Sequence, residues 1–179
     1  MRVIDGAGQD IAYVRQKLLK LKEEVIVFSD RTKTKEIFKI KADKVIDWSP
    51  TYTVYDPAGN PLANTKRSGA KSLWNATYEL NVGEKQIGVL SERNPWVKFF
   101  DALLGEIPII GVVLGYFINP TYDLASPEGK IIANLVKRPA VFEGYYTLEN
   151  VALSEMNDND QYLTVLLLMM IGAMERERG

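Results

Sequence analysis

The chain has 179 residues, 46% of them hydrophobic and 25% charged, with a formal net charge of −1. That is one domain or at most two small ones, with apolar material for a real core and no global electrostatic case for nucleic acid. Cysteine and histidine are both absent, which excludes disulfides, thiolate and imidazole metal sites, a Ser-His-Asp triad and an imidazole general base. An enzyme built on this chain would depend on Asp, Glu, Lys, Tyr, Ser or Thr alone, so a non-enzyme without a cofactor is expected.

The first ten residues, MRVIDGAGQD, hold no apolar run of the kind a secretory signal needs and read as a flexible N-terminus. Residues 11–179 read as a single domain, in halves at about 11–93 and 106–179 joined by a short helix at about 94–105. Ile11, Val14, Leu18, Leu21 and Val25 lie at helical spacing although their neighbours are strand-like. Next, EVIVFSD and EIFKIKA flank a polar loop at Ser29–Lys35 and predict a hairpin. Between Arg31 and Lys44 there are six basic residues against Glu36 and Asp43. Lys33, Lys35, Lys39 and Lys41 are all odd-numbered. Wherever the chain is extended they share one face, while Phe38 and Ile40 share the other. A lysine row of this kind suits an anionic head group or an acidic membrane surface, and equally a solvated outer face or a protected sheet edge.

The central signal is a repeat. PTYTVYDPAGNPLAN at Pro50–Asn64 and PTYDLASPEGKIIAN at Pro120–Asn134 align without a gap and share seven of fifteen identities. Each copy predicts a hairpin. Proline presets φ within DPAGN or SPEGK, and Gly59 or Gly129 takes the positive φ that closes the turn. A third strand follows in each, with alternation at Trp74, Ala76, Tyr78 and Leu80 and at Phe142, Gly144, Tyr146 and Leu148. The unit is a three-stranded meander, present twice, which argues for an antiparallel sandwich or barrel. Lys66 with Arg67, and Lys137 with Arg138, close the second strand of each unit as a paired basic feature, with strand-end charges kept in water as the plain reading.

Between the units, Glu84–Glu92 reads as a strand after an NVG turn. Asn94–Gly105 reads as a helix capped by Asn94 with Pro95 at its first position. Gly111 and Gly115 in GVVLG serve tight turns or close strand approach, since the apolar run around them is too short to span a membrane. The segment EMNDND gathers Glu155, Asp158 and Asp160 as candidate calcium ligands, although the central glycine and distal glutamate of an EF-type loop are missing. Acidic groups there also suit the start of a helix. That last helix is expected to be capped by Asn159 or Asp160 and is apolar nearly all round from Tyr162 to Met174. It belongs inside the protein, at about the height of a barrel of six- to eight-residue strands, with ERERG emerging at the mouth.

A duplicated meander followed by such a helix resembles the LURP-one-related family, which belongs to the Tubby C-terminal-like superfamily together with the phospholipid scramblases. YVRQKLLKL, VYDPAGNPLANTKR, LLGEIPIIGVVLGYFINPTYDLASPEGKIIANLVKRP and the terminal apolar helix carry the likeness, from about Tyr13 to Met174. The resemblance implies a mainly β fold, a closed antiparallel barrel of about twelve strands around a central C-terminal helix, and recasts Tyr13–Leu21 as a strand. Tubby-type domains bind phosphoinositide head groups through surface lysines and arginines, and scramblases are associated with calcium and membranes. The expectation is a non-catalytic module that recognises anionic phospholipid head groups or a similar phosphorylated ligand, cytoplasmic and peripheral at the membrane. Its partner is an anionic membrane surface or a protein, with no nucleic acid and no transmembrane span. A protein-interaction scaffold is the alternative.

Overall fold

The computed structural model describes residues 2–5, 7–19, 22–42, 51–68, 77–93, 120–138 and 145–178; for Arg2 and residues 15–19, 22–23 and 176–178 it describes the backbone alone. The elements in chain order are β1 (Arg2–Ile4), β2 (Asp10–Leu19), β3 (Lys22–Phe28), β4 (Glu36–Ala42), β5 (Thr51–Tyr55), β6 (Pro61–Arg67), β7 (Thr77–Val82), β8 (Lys85–Glu92), β9 (Thr121–Ala125), β10 (Ile131–Arg138) and β11 (Tyr145–Asn150), then a 3-10 turn (Leu153–Glu155) and α1 (Asp158–Arg178). The eleven strands form one antiparallel sheet in sequence order. The helix read at 94–105, the GVVLG run and the positions Trp74, Ala76, Phe142 and Gly144 lie outside the described residues.

The two copies of the repeat fold to the same register. Tyr52 stands opposite Thr65 and Val54 opposite Ala63; Tyr122 stands opposite Leu135 and Leu124 opposite Ala133, with a register shift at the same point of each hairpin. The turns match bond for bond. Gly59 N–H donates to the Asp56 carbonyl at 3.0 Å, and Gly129 N–H to the Ser126 carbonyl at 2.9 Å. Their φ angles are +91° and +84°, a region glycine enters without the steric cost a Cβ imposes. β5–β6–β7 and β9–β10–β11 are therefore the two meanders, with β8 between them.

Alternation along the strands sends one face to the core. Ala12 and Val14 of β2, Ile40 of β4, Leu80 of β7 and Leu135 of β10 join α1 in a single apolar cluster. The sheet curls about the helix from several sides. Phe38 of β4 meets Tyr162 with ring centroids 5.6 Å apart, and Tyr146 of β11 packs against Gly172. β3 is covered on both faces: Val25 and Val27 join the core, and Ile26 and Phe28 on the opposite side are 4% exposed.

Two segments differ from the sequence reading, and at a third the strand that the resemblance implied stands in place of the helix that spacing alone suggested. Residues 1–10, read as a flexible N-terminus, contain β1, whose pairing places Val3 opposite Ala12. The helical spacing at Ile11–Val25 gives no helix; β2 and β3 lie there instead, their backbone groups bonded to each other from Tyr13 to Leu19, with β1 added alongside Asp10–Tyr13. Ile11 is 46% exposed whereas Ala12 and Val14 are buried, a period of two. The last helix starts earlier than expected, at Asp158, with Asn157 as its cap: the Asn157 side-chain oxygen accepts the Asp160 N–H at 2.9 Å.

Candidate ligand-binding face

The sheet has two ends. The 83–85, 56–60 and 126–130 turns, the 29–35 loop and the start of α1 lie at one, the turn end. The close of α1 lies at the other, beside Arg67, Tyr78 and Tyr122. This axis separates the sequence-predicted basic residues.

Lys33 and Lys35 belong to the loop at the turn end, both exposed, and so leave the row that strand alternation would have made. The loop is organised by Asp30, whose carboxylate accepts the Thr32 hydroxyl, the Thr34 N–H at 3.1 Å and the Lys35 N–H at 2.7 Å. Those donors, the Thr32 hydroxyl first, hold the Asp30 carboxyl well below the usual carboxylate range.

Lys39 and Lys41 stand on the outer face of β4, either side of the buried Ile40. Lys39 is drawn to Glu36 at 3.1 Å. Lys41 is exposed, with its ammonium 5.7 Å from the centroid of the Tyr55 ring. Across β5, Lys66 is exposed on the outer face of β6, between Thr51 and Glu79 in the pairing. Lys41 pairs with Thr53, and Thr53 with Asn64. One outer face therefore carries Lys39, Lys41 and Lys66, with Thr51, Thr53 and Asn64 between them.

The other basic pairs divide. Arg67 follows Ala63 and Thr65 on the helix-facing side, its guanidinium 6.0 Å from the Tyr78 ring centroid. Lys137 takes the matching place in β10, opposite Tyr146. Arg138 points outward and is bound to Glu149 at 2.6 Å and to the Thr147 hydroxyl at 3.2 Å. The repeat thus matches Arg67 with Lys137, and the adjacent charges fall on the opposite face because side chains alternate.

The carboxylates of EMNDND do not gather. Glu155 binds Lys130 at 2.7 Å and Asp160 binds Lys85 at 3.3 Å, while Asp158 is exposed in the first helical turn. Among the described residues no group of three or more acidic side chains is placed to hold a metal ion.

A buried polar cluster went unread in the sequence. Glu175, expected to leave the mouth with ERERG, is 7% exposed. Its carboxylate accepts the hydroxyl of Tyr78, and that of Tyr122 at 3.0 Å. Burial, and then the Glu175 charge, push the Tyr122 hydroxyl far above its ordinary range, so it remains a donor. Glu92, 3% exposed, pairs with Tyr122 across β8 and β9. The available signal was the repeat itself, which aligns Tyr52 with Tyr122 and Tyr78 with Tyr146 on inward positions.

No curated protein and no solved structure matches the chain. A family model described as LURP-one-related matches residues 11–149, the span from β2 to β11. With its duplicated meander and its single C-terminal helix, the chain belongs to the LURP-one-related family.

Proposed function

We propose that this protein is a non-catalytic binding module that meets anionic phospholipid head groups at a membrane surface through the outer face of β4–β6. Membership of the family suggests a Tubby-like binding domain of a generally non-catalytic kind. One observation carries the finer reading. Lys41 and Lys66 share an exposed face, and among the described residues neither has an ion-pair partner. Thr53 and Asn64 between them offer hydrogen bonds to phosphate or hydroxyl oxygens. Near an acidic bilayer each such charge contributes about 1 kcal/mol, so two or three lysines support reversible, salt-sensitive attachment. Closure of the sheet into a barrel around α1 belongs to the same reading, supported by contacts with the helix from both β4 and β11. No helix among the described residues is long and apolar enough to cross a membrane, which agrees with contact at the surface.

The test is co-sedimentation of the purified protein with neutral and with anionic liposomes, at low and at high salt. Binding confined to anionic vesicles and weakened by salt supports the proposal. No binding at low salt removes it.

A protein partner is the second reading, favoured by apolar side chains exposed on β1 and β2 and on and just after β11. Ile4 and Ile11 are 52% and 46% exposed, and Tyr145 and Val151 are 59% and 52% exposed. A pull-down that depends on Tyr145 and Val151, with vesicles left unbound, would establish it.

A further inference from the structure

We infer that Glu175, with Tyr78 and Tyr122, sets the depth and rotation of α1 within the sheet, and that this cluster supplies uniqueness of packing rather than net stability. Between its ends the helix is apolar on nearly every side, with Leu163, Leu166, Leu167, Leu168, Met170 and Ile171 all buried. The hydrophobic effect is non-directional. An apolar cylinder against an apolar sheet therefore gains similar burial at several depths, and groups that need directed partners must choose among them.

Glu175 makes that demand most strongly. It is a carboxylate in the interior, at the helix end whose dipole disfavours negative charge, and two phenol hydroxyls donate to it. A slip of one helical turn would move it by about 5.4 Å, beyond hydrogen-bond reach of both. At the other end Asp160, 9% exposed, meets Lys85 at 3.3 Å. The two ties grip the helix about 22 Å apart at the usual rise per residue.

The donors come from different units of the repeat. Tyr78 lies on the last strand of the first meander and Tyr122 on the first strand of the second, with β8 and its buried Glu92 between. Among the described residues, Arg67 over the Tyr78 ring, Tyr146 of β11 and Lys137 opposite Tyr146 are further polar groups towards this end. One carboxylate thus fixes the helix against the junction of both units.

The helix carries its own reporters, Met169, Met170 and Met174. The experiment records methyl NMR spectra of the full chain labelled at the methionine ε-carbon, together with thermal unfolding. The triple variant Tyr78→Phe, Tyr122→Phe, Glu175→Leu removes the donors and the charge together, so no orphaned carboxylate confuses the result. The expected outcome is a midpoint within a few degrees of wild type, with Met170 and Met174 each split into more than one resonance. Cores lose uniqueness before they lose stability. A single sharp set of resonances at wild-type shifts would overturn the inference, as would a folded triple variant with a midpoint lowered by tens of degrees. If the triple variant does not fold, Tyr122→Phe alone decides. Splitting or broadening at Met174 supports the lock, and an unchanged Met174 signal refutes it.

Discussion

Lys41 and Lys66 stand on one outer face of the sheet two strands apart, joined across β5 by the pairs Lys41–Thr53 and Thr51–Lys66. They are 25 positions apart in the chain, and only strand order brings them together.

Replacing either lysine by alanine should weaken binding to anionic vesicles about fivefold, the equivalent of one charge at about 1 kcal/mol. Reversal to glutamate should cost about twice that free energy, roughly thirtyfold, with the thermal midpoint little changed because both side chains are exposed. Lys137→Ala, on the helix-facing side of β10, serves as the contrast and should leave vesicle affinity near wild type. Equal losses at all three positions in co-sedimentation would show diffuse attraction and no particular face.

The repeat makes a stability prediction. Gly59→Ala and Gly129→Ala each force a Cβ into the left-handed region at matching turns, at a cost of about 1–2 kcal/mol. The two losses should be similar and should add within about 0.5 kcal/mol in urea unfolding, since the turns share no partner. A strongly unequal pair would mean that the turns are held differently despite their common bonds.

Asn157 caps α1 by accepting the Asp160 N–H. Asn157→Ala should therefore destabilise the protein by about 1 kcal/mol, a fall of about 2–4 °C in midpoint for a chain of this length. Asn157→Asp should recover the loss, because a carboxylate caps equally well and suits the helix dipole. Asn159→Ala, at the position expected to cap from sequence, should move the midpoint little in the same thermal scan.

The Asp30 loop gives an acid dependence. Its folded carboxyl sits below the ordinary value because the Thr32 hydroxyl and two backbone N–H groups bind the charged form. On acidification the unfolded chain takes up this proton first. The contribution is whole above about pH 4, the unfolded range for Asp, and is lost as pH falls towards the lower folded value. Asp30→Asn should lower stability at pH 7 and flatten the decline below about pH 4 in denaturant unfolding. An acid limb parallel to wild type would show that Asp30 contributes nothing to it.

Much of the architecture follows from local chemistry. Asp-Pro-Ala-Gly and Ser-Pro-Glu-Gly specify their turns through proline's φ and glycine's freedom, so both hairpins were visible in the chain, as was the internal helix from its unbroken apolar run. The fold's β2 strand was not visible in that way. Ile11, Val14 and Leu18 fit a helical period, and only the ladders with β1 and β3 make the span extended.

The candidate face divides along the same line. That Lys39 and Lys41 share a side was implied by alternation about Ile40, because side-chain direction in a strand is local. That Lys33 and Lys35 lie in a loop, that Arg67 turns inward while Lys66 faces solvent, and that Arg138 is bound to Glu149 depended on where strands start, shift and meet their neighbours. Glu175 shows the difference most plainly. From its position in ERERG it belongs in water, yet two tyrosines, 97 and 53 residues away in the chain, supply the donors that keep it inside. Residue order over short stretches is enough for the repeat, its turns and an apolar helix, since those depend on residues a few positions apart. Which charges are bare and which are buried follows from the assembled fold, because desolvation and its compensation depend on partners that the fold alone brings together.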